Sequence, residues 1–149
     1  MVYSKIISTG AYTPQRVVKN DEISRMVETN DEWITSRTGI KQRRISSGEK
    51  TYQIAAKAAT EAIKNAGIDK EEIDMIILAT ITPDFFMPST ANLVQAELGL
   101  DDIPSFDVTA GCTGFIYALQ IADQFIKSKQ SKTIPVSYTH LTLPTTPYV

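Results

Sequence analysis

Cysteine and histidine each occur once in the 149 residues, as Cys112 and His140. An intrachain disulfide is therefore excluded, and the Cys/His ligand sets of structural zinc cannot be assembled. Long hydrophobic runs are also missing. None is longer than the five of residues 75–79, which falls far short of the roughly 20 residues that span a bilayer. The amino terminus carries Lys5 but no extended apolar stretch before a small-residue cleavage site, so neither a membrane span nor a secretory signal is expected, and the sequence reads as cytoplasmic. Neither sign of charge dominates: 15 Lys plus Arg stand against 17 Asp plus Glu, a net −2. That balance gives no general attraction to nucleic acid or acidic membranes. No glycine-rich phosphate loop of the Walker or dinucleotide type is present. What remains is 42% apolar and 21% charged, ordinary globular usage at a length suited to one domain or a piece of something larger.

The pattern of apolar residues predicts strands alternating with helices. Residues 3–7 alternate as a strand, with turn chemistry following from Gly10 to Pro14. Helix starts are expected at Asn20 and at Asn30, the second with Asp31 and Glu32 in the first turn and Gly39 as its stop. Residues 40–45 read as a polar extended segment. With Arg37 they place Lys41, Arg43 and Arg44 in the chain's one dense basic patch. Thr51 is suited to cap an alanine-rich amphipathic helix through Asn65, in which Ile54, Ala55, Ala58, Ala59, Ala62 and Ile63 recur at three-to-four spacing. Residues 73–79 have the continuous apolar character of a strand covered on both faces. A helix over 90–98, a strand over 106–109 and a broadly apolar helix from Cys112 to about Lys127 complete the set. The expected fold is α/β with a mostly parallel sheet and right-handed crossovers.

Composition changes at the end. Residues 133–149 contain no Asp, Glu, Lys or Arg but hold five threonines and three prolines, Pro135, Pro144 and Pro147. Proline cannot donate to a central ladder. The division expected is a native portion over 1–134 and a foreign or vector-derived tail over 135–149, with a natural flexible tail as the alternative. His140 falls in that tail and is read as non-catalytic.

Two groups of residues carry chemistry. Cys112 lies between a short strand and a helix with Gly111 and Gly114 around it, in the string Asp107-Val108-Thr109-Ala110-Gly111-Cys112-Thr113-Gly114-Phe115. Unpaired N–H groups at a helix start favour the reactive thiolate form, and paired glycines permit the tight turn of a strand-to-helix nucleophile. A buried structural thiol is the other reading of a lone cysteine. Trp33 and Arg37 are four apart and share a helix face, an arrangement that can grip a flat heteroaromatic ring; a core tryptophan under a snorkelling arginine has the same spacing.

The opening Lys5-Ile6-Ile7-Ser8-Thr9-Gly10-Ala11-Tyr12-Thr13-Pro14, the run Asn30-Asp31-Glu32-Trp33-Ile34 through Arg37-Thr38-Gly39-Ile40, and Phe106-Asp107-Val108 leading to Cys112-Thr113-Gly114-Phe115 together resemble β-ketoacyl-acyl-carrier-protein synthase III of the thiolase superfamily, from Met1 to about Ile134. The resemblance implies a thiolase-like fold, here the first copy of a duplicated unit. It implies that Cys112 matches the acyl-accepting nucleophile, that Thr29, Trp33 and Arg37 match positions around the coenzyme A nucleotide, and that Met87 falls where the loop of residues 85–88 reaches a partner subunit's acyl pocket. The implied reaction condenses an acetyl or short acyl group from acyl-coenzyme A with malonyl-acyl-carrier protein, without a cofactor, in a homodimer. A histidine and an asparagine that the family also needs have no match in this chain, and the isolated chain is expected to expose apolar surface and to be marginally stable. A related enzyme of the superfamily, similar to hydroxymethylglutaryl-coenzyme A synthase or acting in secondary metabolism, and a non-catalytic remnant are the alternatives.

Overall fold

A computed structural model describes residues 2–139. They divide into two compact units, one formed by Thr13–Gly48 and the other by the remaining described residues.

The smaller unit is a two-stranded antiparallel ribbon with two helices. Strand β1 (Arg16–Lys19) pairs with β2 (Gln42–Ile45), Val18 facing Arg43 across the register. Between them lie α1 (Asn20–Ile23) and α2 (Asp31–Thr38). Asn30 caps α2 by accepting from the Trp33 amide at 2.8 Å, and Gly39 ends it in the left-handed conformation that glycine adopts without penalty. Val18, Ile23 and Ile34 form the core, with Trp33, Ile40 and Ile45 packed against it.

The larger unit is built on a parallel sheet in the order β4-β3-β5: β3 is Ile76–Ala79, β4 Ser105–Val108 and β5 Val136–Tyr138. All four residues of β3 are buried, and the period of two sorts them into two cores. Ile76 and Leu78 pack on one side with Ala55, Ala56, Ala91 and Val94, which come from α3 (Thr51–Ala66) and α4 (Thr90–Leu98). Ile77 and Ala79 pack on the other with Ala118 and Ala122 of α5 (Gly114–Lys127). The sheet is thus a middle layer between helices, as the unbroken apolar run of residues 73–79 implied.

One expectation is corrected. Residues 3–7 form no strand; Tyr3 and Ile6 are 73% and 74% exposed. A strand needs a neighbouring ladder, and this segment instead spends its polar groups on helices. Ser4 donates to Asp123 of α5, Ser8 Oγ to Ala62 O at 2.7 Å, and the Ala11 amide to Glu61 Oε2 at 2.8 Å, while Thr9 O accepts from Asn65 Nδ2 at 2.9 Å. At the other end, hydrogen bonding runs past the change in composition. Pro135 precedes the first residue of β5, so only its carbonyl is used, accepting from Ile77 N at 3.2 Å, and Thr139 N closes the ladder on Ala79 O. An edge position tolerates a proline just ahead of the strand. His140, Pro144 and Pro147 lie outside the described residues.

The segment ahead of Thr13 is held in two ways, and each makes a prediction. Gly10 lies directly on α3: a Cβ there would stand 2.3 Å from Ala62 N and 2.4 Å from Ala58 O, so no side chain fits without displacing backbone. Gly10→Ala should destabilise this unit by about 1–3 kcal/mol and raise amide exchange and proteolytic cleavage within residues 4–12. Tyr12 and Lys57 both donate to the Glu49 carboxylate, Lys57 at 2.6 Å. The Lys57 bond first and the Tyr12 bond second hold Glu49 below its usual range, and Asp123 is lowered likewise by Lys127 and then by Ser4. A carboxyl with a depressed folded value stabilises above its unfolded value and loses that contribution as pH falls through the folded one. Protection from exchange in residues 4–12, taken relative to the intrinsic rate at each pH, should therefore fall on acidification below about pH 4, ahead of protection in β3.

Candidate functional site

Cys112 lies beyond the carboxyl end of β4, on the side of a parallel sheet where α/β folds gather their reacting groups. It occupies a single 3₁₀ turn, Gly111–Thr113, and α5 begins two residues later at Gly114. The thiol is exposed, so the buried structural reading does not apply. Two glycines shape the turn for different reasons. Gly111 has φ +54° with no atom within 4 Å of a Cβ built on it, a purely conformational demand; Gly114 is buried, and a Cβ would stand 3.2 Å from that of Ala79. Thr113 Oγ1 donates to Ala110 O at 2.9 Å and closes the turn. At the same ends of the strands, Thr139 Oγ1 and Thr80 Oγ1 are 2.7 Å apart, and the rings of Phe115 and Tyr138 meet at a tilt of 55° with 6.2 Å between centroids.

Two carboxylates whose capping roles no local pattern announces build the frame around these residues. Asp107, on β4, accepts from the amides of Thr90 (2.8 Å) and Ala91 (2.7 Å) and so caps α4. Asp84 does the same for α3, accepting from Thr51 N at 2.9 Å and Tyr52 N at 2.8 Å, which replaces the cap expected of Thr51; the Thr51 hydroxyl donates instead to Thr82 O. Both are negative charges at the positive end of a helix. No local spacing announces a cap that comes from a residue sixteen or thirty-two positions away. Asp84 also fixes one side of the β3–α4 loop, where Phe86 is 99% and Met87 78% exposed and the Met87–Pro88 peptide is cis.

In the smaller unit α2 presents the second group. Arg37 Cζ stands 4.5 Å from the centre of the half-buried Trp33 ring, a cation–π contact made across one helical turn. Thr29, just ahead of the Asn30 cap, has a buried hydroxyl without a hydrogen-bond partner among the described residues. The basic patch is smaller than expected. Lys41 and Arg44 are exposed, Arg44 donating to Gln15 O at 3.1 Å, but Arg43 is buried and bonded to Asn20. Among the described residues no helix is long and apolar enough to cross a membrane.

The conformational demand at Gly111 can be isolated. Gly111→Ala meets no atom, so urea unfolding should show a loss of about 1–2 kcal/mol from the left-handed backbone alone. The alkylation rate of Cys112 should change in the native chain and stay the same in urea.

Comparison with known proteins converges on these elements. The family described as 3-oxoacyl-acyl-carrier-protein (ACP) synthase III matches residues 106–137, the stretch holding β4, Cys112, α5 and the start of β5. A β-ketoacyl-acyl-carrier-protein synthase III of Sulfurimonas denitrificans is 51% identical over 136 residues, covering 90% of this chain and 41% of the relative. One of Clostridium novyi is 53% identical over 128 residues, covering 86% and 40%. Among solved structures, the 3-oxoacyl-acyl-carrier-protein synthase III of Aquifex aeolicus VF5 superposes with a TM-score of 0.85 at 52% identity, over 89% of this chain and 43% of that one. The priming β-ketosynthase of the R1128 polyketide biosynthetic pathway gives 0.88 at 34% identity, over 93% and 42%. The chain spans about two fifths of the length of the curated relatives it matches. In sequence and in thiolase-like fold, it is similar to the amino-terminal portion of proteins of the β-ketoacyl-acyl-carrier-protein synthase III family.

Proposed function

We propose that this chain is the acyl-accepting portion of a β-ketoacyl-acyl-carrier-protein synthase III, with Cys112 as its nucleophile. The observation that carries the reading is the exposed thiol on a glycine-framed turn at the carboxyl end of a parallel strand, inside the stretch matched by the family. The Cys112 sulfur attacks the thioester carbonyl of an acetyl- or short acyl-coenzyme A. The carbon–sulfur bond to coenzyme A breaks, the free thiol leaves with a proton, and an acyl-cysteine remains. Malonyl-acyl-carrier protein then loses carbon dioxide, and its carbanion takes the acyl group, returning the thiol. No histidine lies among the described residues, so the second step depends on groups outside them and the chain alone is expected to stop at the acyl-enzyme. No cofactor enters the scheme.

The Trp33–Arg37 pair, with Thr29 beside it, takes the nucleotide end of coenzyme A: the indole offers a face for the adenine, and the guanidinium, together with exposed Lys41 and Arg44, suits the phosphates. Met87, on a loop of large apolar side chains held out in water, contributes to the acyl pocket of a second subunit in a homodimer. Residues 135–149 are a non-native tail, although β5 borrows the first of them. The likeness to a polyketide priming β-ketosynthase favours a second reading, a related acyltransferase that loads the same cysteine but delivers to another acceptor. Once the groups that complete the second step are supplied, competition between carrier proteins for the acylated cysteine separates the two.

Incubated with acetyl-coenzyme A, the chain should gain one acetyl group on Cys112, seen by intact mass and peptide mapping, and Cys112→Ala should gain none. A native chain that iodoacetamide labels at Cys112 but acetyl-coenzyme A does not would remove the nucleophile from the scheme.

A further inference from the structure

Arg43 poses a problem that the nucleotide reading leaves unused. It is 3% exposed, on the face of β2 that lies opposite Val18, yet it has no carboxylate partner among the described residues. Its Nη1 donates to Asn20 Oδ1 at 2.8 Å, and its Nε and Nη2 have no partner among the described residues. A buried charge so thinly compensated adds little to stability, and an apolar residue of similar volume generally serves a core as well or better.

Its bond decides something else. Asn20, itself 1% exposed, could point its amide either way, but with Oδ1 engaged by a cation its Nδ2 is committed to the opposite side. There Nδ2 donates to Asp31 Oδ1 at 2.7 Å and to Ile40 O at 2.8 Å. Asp31 is the first residue of α2 and Ile40 follows Gly39, its C-cap. One amide group therefore ties down both ends of the helix, and Thr35 Oγ1 closes the network on Asp31 at 3.3 Å. Trp33 and Arg37 lie between the two ties. A helix of eight residues with a single buried side chain, Ile34, has little means of fixing its own position.

We propose that Asn20 and Arg43 are positioning residues that set the Trp33–Arg37 face of α2 for its ligand; the ligand's identity rests on the coenzyme A reading given above. Trp33 is the only tryptophan, so its fluorescence reports on this face directly. Arg43→Met should leave the far-UV melting of the chain near that of the parent, while acrylamide quenching of Trp33 rises and coenzyme A affinity falls about ten-fold, within the roughly hundred-fold that small misplacements can cost. A folded Arg43→Met chain with parental quenching overturns the proposal. Should Arg43→Met fail to fold, Asn20→Asp decides, because it keeps a partner for Arg43 and replaces the donor to Asp31 and Ile40 by an acceptor that cannot bond to either: raised quenching supports the pair, and parental quenching overturns it. If the parent chain itself does not bind coenzyme A, the nucleotide reading falls, and the quenching comparison still judges the positioning role.

Discussion

The larger unit depends on one four-residue strand. β3 is buried on both faces and along both edges, pairing with β4 on one side and β5 on the other, and its alternate side chains are shared between two cores. The helices α3 and α4 on one side and α5 on the other are joined through it. A residue such as Leu78 or Ile77 therefore has neighbours in two dimensions, the ladder and the packed layer. The turn bearing Cys112 inherits its position from this arrangement, because it follows β4 directly and leans on Ala79 through Gly114.

Much of this was legible in the sequence, for reasons that can be named. The period of three to four in the alanine-rich helix and the unbroken apolar run of residues 73–79 are direct images of burial. Asn30 and Gly39 bounded α2 correctly because their capping interactions are local. Residues 3–7 misled because alternation shows only that a segment could be a strand, while a strand exists only where a ladder receives it. Asp84 and Asp107 were invisible as caps because each reaches a distant helix start. Arg43 was counted with the basic patch because a charge in a sequence is assumed to face water; the Asn20 acceptor that allows its burial lies 23 positions away. Cys112 was placed on the correct turn, with its helix starting slightly later than its spacing suggested.

Polar groups in the two units act in different ways. In the larger unit, carboxylates sit where unpaired N–H groups already point, so Asp84 and Asp107 satisfy donors that any helix start leaves open. In the smaller unit, Asn20 and Arg43 lie beside a core that holds three buried apolar residues among those described. Such a core specifies little by shape, and directional bonds supply the definition that packing cannot.

The close approach of Gly10 to α3 reaches beyond this molecule. Three small residues, Gly10, Ala58 and Ala62, occupy a space that admits no added carbon. Among descendants of this sequence position 10 answers to a helix backbone and not to any side chain, so glycine stays obligatory there whatever residues stand at 58 and 62, for as long as the leading segment keeps its place.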